Sequence, residues 1–398
     1  MKRLLILIFI LSALHTEAQW INISPGVTNW LYDVVFTDNA TGYIVADNGV
    51  ILKTADCGSH WFNQSSGTNN YLFSLFFTAS DTGYIVGEHG TILKTVDGGD
   101  HWMPQISNTS MNLVSVYFTS RLKGYITGQS GTVLSTANGG ETWELSTLYP
   151  DKYLSAICFT DSVTGYIVGS QGFIIKTTDG GNSWIEQVSG TNHTLVSIHF
   201  PRTDTGFAVG DSATVLKTTD GGIHWIAMST GTRDFLNSVF FVNPDTGYVA
   251  GNYSYNQYGG LLKTTDGGLT WSGLESGTLN QLMSLFFLNS DTGFVVGSYG
   301  TLLKTTNGGE GWTVGVSSGH SIDVKLTPNP VSEELLVETW FSGDECFLSI
   351  IDISGKELLR RKVTTFKTRI PIGDFAPGVY FVKLTNGRDL VVRKIIRE

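Results

Sequence analysis

One stretch of this sequence comes round seven times. The glycine of a short Gly-Tyr or Gly-Phe element stands at Gly42, Gly83, Gly124, Gly165, Gly206, Gly247 and Gly293, a period of 41 residues broken once by five extra. A tryptophan follows each at Trp61, Trp102, Trp143, Trp184, Trp225, Trp271 and Trp312, and Trp20 lies one period before the first. A period in the forties with strand-like content points to a β-propeller or a related array. The second copy shows four strand candidates: "LFSLFF", "TGYIVG", "TILKT" and the segment after Trp102, here called A, B, C and D. Their alternation and β-branched content suit strands, and "EHG" and "DGG" supply glycine for the positive φ of tight hairpin turns. Four short antiparallel strands make one blade. Seven blades follow, with one D-type strand to spare, so either the Trp20 or the Trp312 segment completes the last blade.

The turn between C and D reads "KTTDGGNSW" at Lys176 to Trp184 and resembles a catalytic cluster until its copies are aligned. The equivalent positions are Asp56, Asp97, Asn138, Asp179, Asp220, Asp266 and Asn307. Seven copies cannot all be one active site. Asparagine in two of them suits a side chain that accepts backbone N–H bonds within the turn and does not suit acid or nucleophile chemistry. The lysine of six copies (Lys53, Lys94, Lys176, Lys217, Lys263, Lys304) reads as structural spacing near the acidic turns.

The ends of the chain differ from its middle. Lys2 and Arg3, an apolar run from Leu4 to Leu14 and Thr16-Glu17-Ala18 have the form of a secretory leader over residues 1–18, cleaved between Ala18 and Gln19. No stretch reaches the roughly 18 apolar residues of a helical membrane span. Three cysteines, Cys57, Cys158 and Cys346, give neither a disulfide framework nor metal-ligand spacing. No metal and no cofactor are expected. Residues 19–324 carry 11 basic against 24 acidic residues, a net of −13, whereas residues 325–398 carry 12 against 10, a net of +2. The expected organisation is therefore a leader at 1–18, a propeller at 19–319, a linker at 320–324 and a separate module at 325–398. Alternating apolar residues and Gly or Pro turns make that module a small Ig-like β-sandwich, and the whole chain all-β.

The "TxDGGxxW" turn is similar to the Asp-box of bacterial neuraminidase repeats. The full period, "TGYxVG…GxILKTxDGGxxW", resembles the propeller family of the photosystem II assembly and stability factors over residues 20 to 317. In the tail, "LTPNPVSEELLVE", "LSIIDISGKELL" and "DFAPGVYFVKLTNGRDLVVRKIIRE" closely resemble, in that order, the type A sorting domain of the type IX secretion system of the Bacteroidetes. That resemblance implies export to the periplasm, passage of the outer membrane directed by the tail, partnership with the secretion machinery, and release or attachment at the cell surface. It assigns Pro328, Asn329, Pro330, Gly378, Tyr380, Lys383 and Lys394 to the signal.

In a ring of this kind the D-to-A and B-to-C connections share one rim, here called upper, and the box turns lie on the other. Binding groups gather where loops vary without disturbing sheets. Trp30, Tyr71, Tyr153 and Phe235 hold one equivalent position before strand A, and the insertion in the sixth copy adds Tyr253, Tyr255 and Tyr258. These are candidate stacking surfaces for a glycan or a peptide. Asp33 stands where five other copies have serine, and Glu88, His89, His193, Asp211, Arg233 and Asp234 share the upper rim. A sialidase needs three converging arginines, but Arg121 and Arg202 fall in A-to-B turns and Arg233 on the opposite rim. The photosynthetic relatives' arginine-rich patch is missing as well. A propeller at −13 with no basic stripe would repel nucleic acid. The expected function is a non-catalytic, exported propeller that binds protein or carbohydrate; the alternative is a glycoside hydrolase using rim carboxylates.

Overall fold

The computed structural model describes residues 20–232, 235–252, 260–309, 322–327, 331–341, 346–352, 356–363, 365, 367–385 and 390–397. The leader, Arg233, Asp234, Tyr253, Tyr255, Tyr258, Trp312 and Pro328 to Pro330 lie outside them. The chain divides into two compact units, one ending at Gly311 and the other beginning at Trp312.

The first unit holds seven four-stranded antiparallel sheets, each in the order A-B-C-D. In blade 1 these are Leu31–Phe36, Gly42–Ala46, Ile51–Thr54 and Phe62–Gln64; blade 2 repeats them at Leu72–Phe77, Gly83–Gly87, Ile92–Thr95 and Met103–Pro104. Blade 7 takes A, B and C from Leu282–Phe287, Gly293–Gly297 and Leu302–Thr305. Its fourth strand is Ile21–Asn22, with Ile21 opposite Lys304 and Asn22 opposite Leu303. The Trp20 segment therefore closes the ring.

Blade packing explains the repeated aromatics. The ring that follows the glycine of strand B stacks on the phenylalanine ending strand A of the next blade, from Tyr43 on Phe77 at 4.3 Å between centroids to Phe294 on Phe36 at 4.3 Å across the closure. The same phenylalanine meets the tryptophan of its own blade edge-on, as Phe77 meets Trp102, and in blade 7 Phe287 meets Trp20. Such pairs contribute about 0.5–1.5 kcal/mol each beyond area burial. The glycine before the B-strand ring is required by this packing: a Cβ on Gly83 would come 2.6 Å from the Phe77 ring.

The box turn is a closed hydrogen-bond unit. In blade 4 the Thr177 hydroxyl donates to Asp179 Oδ1 at 2.8 Å and accepts from the Gly181 N–H at 2.9 Å, while Asp179 Oδ1 accepts from the Ser183 N–H at 2.9 Å. Asn138 makes the same bonds to Thr136 and Thr142 through its amide oxygen and adds a donation from Nδ2 to the Thr142 hydroxyl. Hydrogen bonds to the ionised form, first from Ser183, hold Asp179 down at about 2. Of the six repeated lysines, Lys53 and Lys94 face acids of the next blade's box, Asp100 at 3.1 Å and Glu141 at 3.7 Å, whereas the other four have a more specific role. Lys176 and Lys263 lie over their own Tyr166 and Tyr248 rings and donate to the carbonyl of Gly221 and Gly308 in the next blade's box. The tyrosine hydroxyls donate to the same carbonyls at 2.7 and 2.8 Å. Where Phe207 and Phe294 lack a hydroxyl, Lys217 and Lys304 alone reach Gly267 and Cys57.

The second unit packs a three-stranded sheet (Ile322–Thr327, Glu334–Phe341, Lys367–Pro371) and a four-stranded one (Glu357–Val363, Cys346–Asp352, Gly378–Thr385, Leu390–Arg397). Leu335, Val337 and Ile370 from the first and Leu348, Ile350, Val382 and Leu384 from the second form one core, each fully buried. Tyr380 donates its hydroxyl to the Ala376 carbonyl at 2.7 Å, which pins the entry to Gly378–Thr385. Lys383 lies on the same strand, half-buried, and Lys394 on its neighbour.

Candidate functional site

Strand A lines the axis, and its alternation is broken in the same way in all seven blades. The register slips between its first and third residues, Leu31 and Asp33 in blade 1 and Leu72 and Ser74 in blade 2. This β-bulge turns two successive residues toward the axis. The first, fourth and sixth residues of strand A stay on the packed side, as Leu31, Val34 and Phe36 do. The second and third residues of the seven strands, with Tyr153, Thr194 and Phe235 above them, wall a cavity of about 500 Å³ open to the upper rim. None of the fifth residues lines it. Aromatic contacts such as Phe76 with Tyr117 at 5.1 Å and His199 with Phe240 at 4.9 Å form a layer at that fifth position. Burial holds His199 down at about 4 and so neutral, and pushes the Cys158 thiol up.

Four of the third residues accept hydrogen bonds from the neighbouring blade. Ser115, Ser197 and Ser238 each accept the N–H of the next blade's strand A, from Ile157, Val239 and Leu285. Asp33 does the same for Leu75 through Oδ2 at 3.1 Å. Its Oδ1 accepts from the Val34 N–H at 2.9 Å and from the Ser284 hydroxyl at 2.8 Å. Burial raises its carboxyl to about 6 against the pull of those bonds. Among the described residues, Asp33 is the only carboxylate lining the cavity, and no Lys, Arg or His lines it.

Tyr153 and Phe235, expected at the rim, border this cavity. Trp30 and Tyr71 stand outside its lining but belong to an aromatic arc at its mouth: Tyr299 meets Trp30 at 6.1 Å, and Tyr32 meets Tyr71 at 6.3 Å and Phe73 at 5.3 Å. Tyr32, Phe73 and Tyr299 were not visible as site residues in the sequence. Tyr299 is 68% exposed with φ at 56°, a left-handed conformation that a bulky side chain seldom takes. The same turn carries Asn48, His89, Ser130, Gln171 and Ser212 elsewhere in the ring, all with positive φ, so the middle residue as well as the glycine adopts that conformation. Burial, then the charges of Asp47, Tyr71 and Glu88, pushes Tyr32 up to about 12. Two other rim acids serve their own loops: Glu88 accepts from the Tyr71 N–H at 3.1 Å and Asp47 accepts from the Asn29 side chain. His89 and His193 are exposed, and Asp211 sits in the B-to-C turn of blade 5. Lys152 reaches Gln171 at 2.6 Å and Asp151 at 3.4 Å. Among the described residues no cluster of His, Cys, Asp and Glu could hold a metal ion, and the three cysteines are free. Among them, too, no helix is long and apolar enough to cross a membrane.

No curated protein matches the sequence. Among solved structures, YCF48 bound to D1 peptide superposes with a TM-score of 0.62 at 21% identity, over 73% of this chain and 95% of that one. PorZ, a bacterial surface component of the type IX secretion system of Porphyromonas gingivalis, gives 0.60 at 13% identity, over 94% of this chain and 60% of that one. A GH74 xyloglucanase from Xanthomonas campestris gives 0.61 at 11%, over 80% and 59%. Likeness at these identities shows the propeller fold alone. Residues 325–398 match the secretion system C-terminal sorting domain, so the chain is directed through the type IX secretion system to the cell surface or the medium. Six overlapping matches between residues 12 and 332 fit the photosynthesis system II assembly factor YCF48, and the chain belongs to that family.

Proposed function

We propose that the exported propeller is a non-catalytic binding module that presents its upper cavity and aromatic arc to a protein or carbohydrate ligand. The observation that carries this reading is the single carboxylate of the cavity. Hydrolysis by paired acids requires a second carboxyl about 5–9.5 Å away across the bound bond, and among the described residues the lining holds only Asp33. Hydroxyls from Ser74, Ser115, Ser197 and Ser238 and the aromatic faces of Tyr32, Phe73, Tyr153 and Phe235 supply what a binding surface needs, apolar area with a few placed polar groups. The related propeller that holds a peptide supports a ligand of that kind.

The test measures turnover and binding side by side. The secreted protein is incubated with a panel of polysaccharides, xyloglucan included, while release of reducing ends is followed; glycan and peptide arrays are probed in parallel. Binding without turnover is the expected result. Turnover that disappears in Asp33→Asn would overturn the proposal and make Asp33 a catalytic acid.

A further inference from the structure

We infer that the upper cavity takes an organic cation, an ammonium or guanidinium group held between aromatic walls and the Asp33 carboxylate. This rests on reading that cavity as a binding surface and names the chemistry of its ligand.

Three observations point the same way. Asp33 occupies a column filled by serine in five other blades and alanine in the sixth, and the structural task there, accepting one N–H from the next strand, needs no charge. A hydroxyl performs it three times over. The carboxylate adds a negative charge that no cation of the lining neutralises, since among the described residues none is present. Its four hydrogen-bond partners are neutral, and a buried charge satisfied by dipoles alone gains strongly from a counter-ion.

The walls match that charge. Tyr32, Phe73, Tyr153 and Phe235 stand around the same space, and the faces of aromatic rings attract cations by their quadrupole. The field at the mouth has the same sign, because the Asp47 and Glu88 charges raise the Tyr32 hydroxyl. Lys152, the lysine of this rim, is turned toward Gln171 and Asp151. With net −13 on residues 19–324, a cationic ligand is drawn to the propeller from a distance. About 500 Å³ holds one long basic side chain with room for its neighbours, so the group can arrive on a peptide or as a free amine.

The experiment titrates the full secreted chain by calorimetry with n-butylammonium, n-butylguanidinium, the uncharged butanol, and the peptides Gly-Gly-Lys-Gly-Gly and Gly-Gly-Arg-Gly-Gly. The cations are expected to bind at least tenfold more tightly than butanol, and Asp33→Asn and Asp33→Ser to abolish that margin, serine being a residue five other blades already carry. Phe73→Leu should weaken every cation severalfold. Peptides binding well above the free cations identify a polypeptide source; equal affinities identify a small amine. Arg233→Gln is run beside the native chain, because Arg233 adjoins this rim in sequence. Equal affinity for butanol, an undiminished margin in both Asp33 variants, or cation binding that emerges only in Arg233→Gln would each overturn the inference. A chain that binds glycans but not cations refutes this inference and leaves the non-catalytic reading intact, whereas turnover refutes that reading whatever the cations do.

Discussion

Replacing Asp33 by asparagine removes one ionisable group while keeping the size of the side chain and its acceptor oxygen. Burial moves the carboxyl from 3.8 to about 6, opposed first by the bond from Ser284 and then by those from Leu75, Val34 and Ser74. A rise of roughly two pH units is worth about 3 kcal/mol, an upper bound because the carboxyl keeps contact with water in the cavity. The folded-state value lies above that of the unfolded chain, so the native protein holds this proton more tightly. The resulting stability is fully present below about pH 4 and is lost as the pH rises to about 6. Asparagine has no such dependence. The unfolding free energy of Asp33→Asn minus that of the native protein should therefore climb by up to about 3 kcal/mol between pH 4 and pH 7 and stay level above. Urea denaturation at a series of pH values measures the difference, to which all other carboxyls contribute equally. A difference that stays constant across the window would mean that the Asp33 carboxyl is as well solvated as one on the surface.

The box turns and the ring closure give three further outcomes. Thr177→Val leaves the Gly181 N–H without its acceptor and should cost about 1–3 kcal/mol in chemical denaturation, whereas Asp179→Asn should leave the midpoint nearly unchanged, as Asn138 already does the same work. Tyr84→Phe should lose about 1 kcal/mol, because the Gly139 carbonyl receives the Tyr84 hydroxyl while Lys94 faces Glu141 at 3.7 Å. Tyr166→Phe should lose measurably less, because Lys176 already donates to the Gly221 carbonyl; equal losses would contradict the shared role of lysine and tyrosine. Trp20→Ala empties a fully packed site against Phe287 and should cost about 3–5 kcal/mol, read as a fall in the denaturation midpoint.

The blades were legible because each interface uses the same three rings and one glycine, and each turn the same threonine, an aspartate or asparagine two residues on and a glycine two residues after that, so spacing alone reveals them. Closure was not, since Trp20 and Trp312 fit the same template and only pairing of Ile21 with Lys304 separates them. At the site, Asp33 stood out because it interrupts a serine column. Tyr32 and Phe73 did not, because strict alternation assigns neighbours to opposite faces and the bulge between the first and third residues of strand A puts two on one. Tyr299 was hidden for another reason: its turn carries short polar or amide side chains in most copies, and its contact with Trp30 spans the seam between the last blade and the first. The outcome of the insertion tyrosines Tyr253, Tyr255 and Tyr258 lies outside the described residues.

Ile21 and Asn22 come from the opposite end of the propeller sequence to the strand they join. Each of the other six blades is built from one continuous stretch of chain and can assemble as soon as that stretch is available. The seventh has to wait for a segment made first and needed last, and the entropy lost in bringing such distant partners together falls on that one step. The pairing of Ile21 with Lys304 is thus the latch of the ring, and tension applied to the two ends of the propeller would open that sheet before any other blade came apart.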